Sequence, residues 1–411
     1  MMTFSRLRMF YPKSGTQRVL ATFALINVFG FVVFSGSRGF IIAFLEHLGY
    51  SASVIGAIVA VMAGFGIVGQ FVIGFLCDKF GRIKPFYFVL MGIVVCASFV
   101  IYFLRLPLWM MFVAFAVLGT SLSTCAQLFD SWVLESGESM KQAYGITRGA
   151  GAFGWSVGLL ALGPVISVFG FEALPFVVIV SALCAFAAAR GQPDARKISQ
   201  GKSLSIGSVK ELFRNRRYIL LLVITFLLFG IVSSEWILNG IKATKLGTPV
   251  MFGILFGVLG LAEVPFFAAF QKIRRRFKLT HIFVFGISMY IARIALMGLA
   301  QSIWVMILIA FTNTITYAPC YICAKMLLDE EIPQHLKTTG QLIAAAVFSG
   351  LSGMFFPVVT GQIVDALGLD TAFFVLAVFT VVPFVLALVL AALPPTKACY
   401  ADSSHHLRKE D

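Results

Sequence analysis

Six ionisable residues stand inside otherwise apolar sequence: Arg38, Asp130, Arg148, Glu235, Glu263 and Arg293. Four of them form matched pairs. Asp130 and Arg148 each lie nine residues from Ser139, the centre of the polar turn 136–142. If the flanks are antiparallel helices, the two side chains reach the same depth and can meet. Glu263 and Arg293 each lie fifteen residues from Lys278, in the basic connection 271–281. A charge at the centre of a membrane helix costs roughly 2.5–3.5 kcal/mol, so six cost on the order of 15–20 kcal/mol gross. A whole domain is stable by only about 5–15 kcal/mol. Such residues must face one another or water. A buried ion pair that merely holds two helices in register would explain one pair. Six together imply a polar cavity, and a polar cavity in a membrane implies transport.

The rest of the composition agrees with a membrane setting. Of 411 residues, 59% are hydrophobic and 12% charged, with mean hydropathy +0.95. Soluble domains carry about 25% charged residues, so a soluble protein is excluded. The net charge of +14 sits in connections between apolar runs, which fits orientation in a bilayer and not a nucleic-acid face. The seven cysteines fall mostly within apolar runs. Cys320 and Cys323 have CxxC spacing, but no His or second Cys pair accompanies them, so neither metal nor redox chemistry is expected. No nucleophile–base arrangement or glycine-rich phosphate loop appears, so no enzyme activity and no cofactor are expected. His47, His281, His335, His405 and His406 lie at segment ends or in tails, as solvated residues do. The first apolar run follows Arg18 without a small-residue cleavage site and is expected to be a retained helix.

A spanning helix needs about 20 apolar residues. That ruler yields twelve segments: 19–45, 52–76, 85–104, 107–135, 144–168, 170–189, 218–240, 250–270, 280–300, 302–327, 340–366 and 370–393. The expectation is an all-α integral membrane protein in two pseudo-symmetric six-helix bundles, 1–190 and 218–393. A central loop, 191–217, joins them, and a tail follows, 394–411. Basic residues crowd the segment before the first helix, the second, fourth, eighth and tenth helix ends, and the central loop. The alternate connections hold only Arg105, Lys242 and Lys245. By the positive-inside rule both termini, the central loop and the tail are cytoplasmic, in a multi-pass protein of the cell membrane. The halves also echo each other. Gln70 to Lys79 aligns without a gap to Glu263 to Lys272, and Arg38 and Glu235 precede Gly49 and Gly247 by eleven and twelve residues. Six-helix repeats with a site at their interface are a recurrent transporter plan.

After the second segment comes Gly74-Phe-Leu-Cys-Asp78-Lys79-Phe-Gly81-Arg82-Ile-Lys84-Pro85. This motif resembles the signature of the major facilitator superfamily, in the loop between helices two and three. Gly74 would let a neighbouring helix approach, and Gly81 would permit a tight turn. Asp78 would accept from a helix N-terminus, and Arg82, beside Lys79, would clamp a carboxylate. Together they would make a latch that breaks and re-forms. The equivalent loop of the second half, 271–276, has lost its acid and its glycine, so a weaker latch is expected there.

The run Tyr144-Gly145-Ile-Thr-Arg148-Gly-Ala-Gly-Ala-Phe-Gly154-Trp155 resembles helix five of the lactose permease (oligosaccharide:proton symporter) family, which also has an acid eighteen residues before its Arg, here Asp130. The resemblance implies that Asp130 and Arg148 hydrogen-bond sugar hydroxyls and that Trp155 stacks on a pyranose face. The chemistry suits a sugar, since a carboxylate accepts from hydroxyls and a guanidinium donates a planar fork. An aromatic face covers C–H surface. Glu263 and Arg293 fall where that family keeps an acid and an Arg for proton coupling. Its helix-ten His and Glu are replaced by Asn313 and Thr316. Asn313 is therefore assigned to substrate binding, and Glu263, paired with Arg293, is expected to titrate in place of the lost Glu. Glu235 lacks the lysine partners of the family and is a second proton candidate. Arg38 has two possible uses, pairing with Glu235 or binding an anionic substrate group. The expected partners are a sugar or small oligosaccharide, protons and the bilayer, with no nucleic acid, for a monomer that imports by alternating access. The rival is an anionic or drug-like solute carried by symport, uniport or efflux.

Overall fold

The computed structural model describes residues 14–195, 212–333 and 336–394. The far N-terminal basic residues, most of the central loop, His335, and the tail with Cys399, His405 and His406 lie outside these. The described residues are helical without strands, and twelve helices are long and apolar enough to cross a membrane. They are α1 (Gln17–His47), α2 (Ala52–Phe80), α3 (Lys84–Phe103), α4 (Leu108–Glu135), α5 (Tyr144–Phe169), α6 (Phe171–Ala189), α7 (Arg216–Leu246), α8 (Pro249–Arg274), α9 (Leu279–Leu299), α10 (Ile303–Glu331), α11 (Ile343–Leu367) and α12 (Leu369–Ala392). The protein is an all-α integral membrane protein. Its outer helix faces are apolar: Phe71, Phe75, Leu308 and Val378 are each more than 60% exposed. Water would penalise that surface, and lipid does not.

Two compact units are formed. One holds residues up to 44 with 65–195, and the other holds 45–64 with those from 212 onward. In the first unit α1 and α5 approach closely through glycine. A Cβ at Gly154 would stand 2.4 Å from the carbonyl oxygen of Val28, and one at Gly158 would stand 2.1 Å from Ser35 Oγ. Lipid tails are as apolar as leucine, so helices in a bilayer associate through such close packing. Gly154 thus has a packing role in addition to preceding Trp155. Asn27 on α1 donates to the carbonyl of Thr147 on α5 at 2.6 Å, fixing the register of the pair.

In the second unit the first half of α2 lies against α11. A Cβ at Gly56 would meet the Pro357 carbonyl oxygen at 2.1 Å, and Asp365 accepts from the backbone N–H groups of Ala52 and Ser53 at 3.1 and 2.9 Å. That carboxylate satisfies donors left open at the start of α2. At the other end of α11's bundle, Arg217 donates to Glu331 at 2.7 Å and to the Leu393 carbonyl, tying α7 to the ends of α10 and α12.

α7 is longer than the apolar run 218–240 suggests, and Lys242 belongs to it instead of to a connection. Its ammonium is buried and donates to the carbonyls of Met297 and Gly298 at 3.0 and 2.7 Å and to Asp370 at 2.7 Å. Lys242 therefore caps the C-terminal end of α9, where carbonyls lack helical partners. Hydropathy reads it as polar and ends the helix; packing keeps it helical.

Replacing Gly154 with Val should destabilise the purified protein by roughly 1–3 kcal/mol, the usual range for overpacking. Gly92→Ala is the control, because a Cβ there meets nothing within 4 Å. Thermal unfolding in one detergent should show a clear loss for the first variant and none for the second.

Candidate functional site

In the first unit, α4 carries Asp130 and α5 carries Arg148 and Trp155. Asp130 and Trp155 are half-buried and Arg148 is exposed. The Arg148 guanidinium lies over the Phe31 ring, 5.3 Å from its centroid. Phe31 takes the guanidinium by cation–π attraction, leaving its donor edges to other partners. Arg38 lies in a π-helical turn, Ser35–Gly39, and is exposed while its four neighbours in that turn are buried. Such turns are rare and are found at functional sites more often than elsewhere.

The signature loop has its own geometry. Gly81 adopts φ +62°, a left-handed conformation that favours glycine in a turn. The close approach expected at Gly74 is not made, since a Cβ there meets nothing within 4 Å. Asp78, Lys79 and Arg82 are exposed. Asp194 holds a helix N-terminus beside this loop: it accepts from the N–H groups of Ile83 and Lys84 at 3.1 and 2.9 Å and caps α3. Nothing in the sequence pointed to Asp194, because its role requires the start of the central loop to fold back over 110 residues. In the second half, Arg274 reaches Glu330 of α10 at 3.6 Å, with both side chains about 40% exposed. A pair so solvated contributes little.

The second unit holds a continuous buried network. Arg293 on α9 donates from Nη2 to Glu235 Oε1 on α7 at 2.8 Å, with both side chains buried. Tyr290, one turn before Arg293, donates its hydroxyl to Glu235 Oε2, and Asn239 donates to Oε1 at 3.2 Å. From Nη1, Arg293 donates to Asn313 Oδ1 at 2.5 Å and to Thr316 Oγ1 at 3.1 Å. Asn313 in turn donates to Glu263 Oε1 at 3.2 Å. The chain therefore runs Tyr290–Glu235–Arg293–Asn313–Glu263.

This corrects two expectations. Glu263 reaches Arg293 through Asn313 and not directly, and Glu235 is no lone acid but the ion-pair partner of Arg293. Spacing from the α8–α9 connection matched the depths of Glu263 and Arg293. It was blind to α7, which brings a second carboxylate to the same guanidinium. Tyr290 and Asn239 were missed, although each lies at helical spacing (three and four residues) from a charged residue that was identified. Arg293 Nε stays buried without a hydrogen-bond partner among the described residues. A buried donor left unmade costs about 1–3 kcal/mol.

The backbone breaks where the network forms. Within α8, regular helix stops at Leu261 and resumes at Val264, with Glu263 in the gap and Pro265 just after it. Proline has no N–H to return and clashes with the preceding turn. Glu263 N–H turns to the Gly260 carbonyl, and the released carbonyl of Leu259 accepts from Asn313 at 2.8 Å. Thr314 donates to the carbonyl of Ala262. α10 is likewise interrupted, by a 3₁₀ turn over Phe311–Thr314. Irregular backbone at membrane depth is tolerated only where protein or a water-filled cavity satisfies it, and broken helices mark solute and ion sites in transporters. Among the described residues no group of three or more His, Cys, Asp and Glu side chains is placed to hold a metal ion.

Residues 20–375 match the MFS_1-like family. The maltose permease of Geobacillus stearothermophilus is 24% identical over 310 residues, covering 75% of this chain and 78% of that protein. Among solved structures, the nucleoside transporter NupG is similar with a TM-score of 0.77 and 15% identity, over 91% of this chain and 99% of that one. A POT family transporter in complex with a thioalcohol-conjugated peptide gives 0.73 and 12% identity, over 91% and 96%. At such identities the structures speak for the fold alone. The proteins matched are membrane transporters, not enzymes. With a family match over most of its length and twelve membrane-crossing helices, this chain belongs to the MFS_1-like family of the major facilitator superfamily and is a membrane transporter of that type.

Proposed function

We propose that the protein imports a sugar or small oligosaccharide together with protons, by alternating access. The observation that carries the sugar assignment is the register of Asp130, Arg148 and Trp155 on α4 and α5. Arg148 has its guanidinium against Phe31 and its edge exposed, ready to donate to hydroxyls. Trp155, two turns along the same helix, supplies the ring face. The likeness to a maltose permease supports the same solute class.

Proton coupling is assigned to the network of the second unit. Glu235 is buried and held by Arg293, Tyr290 and Asn239. Glu263 is only half-buried and touches the guanidinium through Asn313 alone. Glu263 is therefore the acid with access to water and the one that exchanges the proton. Arg293 and Asn313 carry the change to Glu235, because an Asn313 that rotates away from Glu263 also lets go of Arg293. The carrier is assigned to the cell membrane as a monomer, and the distribution of its basic connections favours cytoplasmic termini. Asp78, Lys79, Gly81 and Arg82 serve as the latch on the cytoplasmic face.

In proteoliposomes, wild type should accumulate labelled maltose or a related glucoside when a proton gradient is imposed, and Arg148→Ala should lose that uptake. Full uptake by the variant, or no sugar taken up by wild type, removes the sugar assignment. Glu263→Gln should still exchange labelled for unlabelled sugar at equilibrium but should no longer concentrate it above the outside level. Unchanged concentrating power would move the proton elsewhere. A fluorescent reporter fused after Asp411 should light up only on the cytoplasmic side, and a periplasmic or external signal would reverse the orientation.

A further inference from the structure

Charged side chains that are exposed and lie four or more residues inside a membrane-crossing helix number three among the described residues: Arg38, Arg148 and Lys325. All are cations. The carboxylates at comparable depth, Asp130, Glu235 and Glu263, are half-buried or buried. Lys325 belongs to neither the sugar register nor the proton network.

Its geometry is that of a ligand-facing group. Lys325 sits six residues before the end of α10, roughly 9 Å inside it. A lysine in that place facing lipid would extend outward to bring its ammonium to the headgroups. Lys325 does the reverse. Its Nζ turns back one helical turn toward the membrane interior and donates to the Tyr321 hydroxyl at 2.6 Å. There it lies 4.4 Å from the Tyr321 ring centroid and 5.7 Å from that of Phe348. An exposed ammonium directed inward must be met by water or by solute, so this face of α10 is wet.

The surroundings are aromatic and rigid. Tyr321 stacks near Tyr317 at 5.6 Å, and Phe348 packs on Phe229 of α7 at 3.8 Å. Phe348 itself stands on a π-helical turn of α11, Ala346–Leu351, which re-aims side chains as the turn around Arg38 does. No carboxylate balances the charge among the described residues. Asp329, one turn further along α10, is engaged by Lys337 and Gln341, each at 2.8 Å. An ammonium has three donors and no acceptor, and only one donor is accounted for.

We infer that Lys325 and Tyr321, backed by Phe348, form a second solute subsite that takes the carboxylate of an acidic sugar. In naming a sugar the inference rests on the function proposed above; in naming an anion it does not. The ammonium meets the negative group, the Tyr321 hydroxyl is free to donate its own proton to a second oxygen, and the ring faces line an apolar floor for the C–H surface.

The test measures binding to the purified full-length protein with three probes: methyl glucoside, the matched methyl glucuronide, and benzoate as an anion without a sugar. Wild type should bind the glucuronide on the order of tenfold more tightly than the glucoside, the scale of one charge-assisted hydrogen bond. Lys325→Met should lower the glucuronide to the glucoside's level and leave the glucoside unchanged, while Lys325→Arg should keep most of the preference. Equal wild-type affinities, a parallel loss of both glycosides in Lys325→Met, or no binding of any probe overturns the subsite. If benzoate alone binds and depends on Lys325, the anion subsite stands and the sugar assignment falls.

Discussion

Inside a bilayer nothing outside the protein can answer a charge, and Arg293 is the residue on which that constraint bears hardest. Its guanidinium is buried between α7, α9 and α10 and is answered by Glu235, Asn313 and Thr316. A buried ion pair gives little net stability, but removing one partner strands the other and is costly. The pair therefore acts less as glue than as a condition on the arrangement of three helices. Any arrangement that separates α7 from α9 must first find another partner for each charge.

The broken helices follow from the same constraint. α8 and α10 give up backbone hydrogen bonds beside Glu263 and Asn313, and the side chains of Asn313 and Thr314 take up the exposed carbonyls of Leu259 and Ala262. Asn313 thus links three things at once: the acid, the guanidinium and the broken backbone of α8. A change in the charge of Glu263 would act on a piece of chain that is already irregular, where small shifts of backbone cost less than in an intact helix. At this level α10 presents Asn313 and Thr316 to Arg293 and no acid of its own. It is joined to the network by neutral groups that can both donate and accept.

Long cationic side chains divide by where their ends go. Lys242 is buried and closes the C-terminal end of α9, and Arg217 binds the ends of α10 and α12. Both are fasteners. Arg38, Arg148 and Lys325 are exposed within helices, and two of the three have an aromatic ring under the charge. A ring steadies a cation without neutralising it, which leaves the charge available to a passing solute. Residue type alone does not separate these classes; burial and the direction of the side chain do.

The twelve spans were legible in the sequence because the bilayer sets a length and a polarity that each helix must satisfy alone, whatever its neighbours do. The cost of a charge inside a span picked out Arg38, Asp130, Arg148, Glu235, Glu263 and Arg293 for the same reason. Partnership was not legible. Matching distances from a turn fixed the depth of Glu263 and Arg293, yet the ion pair went to Glu235, a residue from a helix 58 positions away in sequence. Asp194 capping α3, Lys242 inside α7 and the inward turn of Lys325 were hidden likewise. Depth is a property of one helix and can be counted along the chain. Rotation about the helix axis, and so the choice of partner, is decided only when the helices pack.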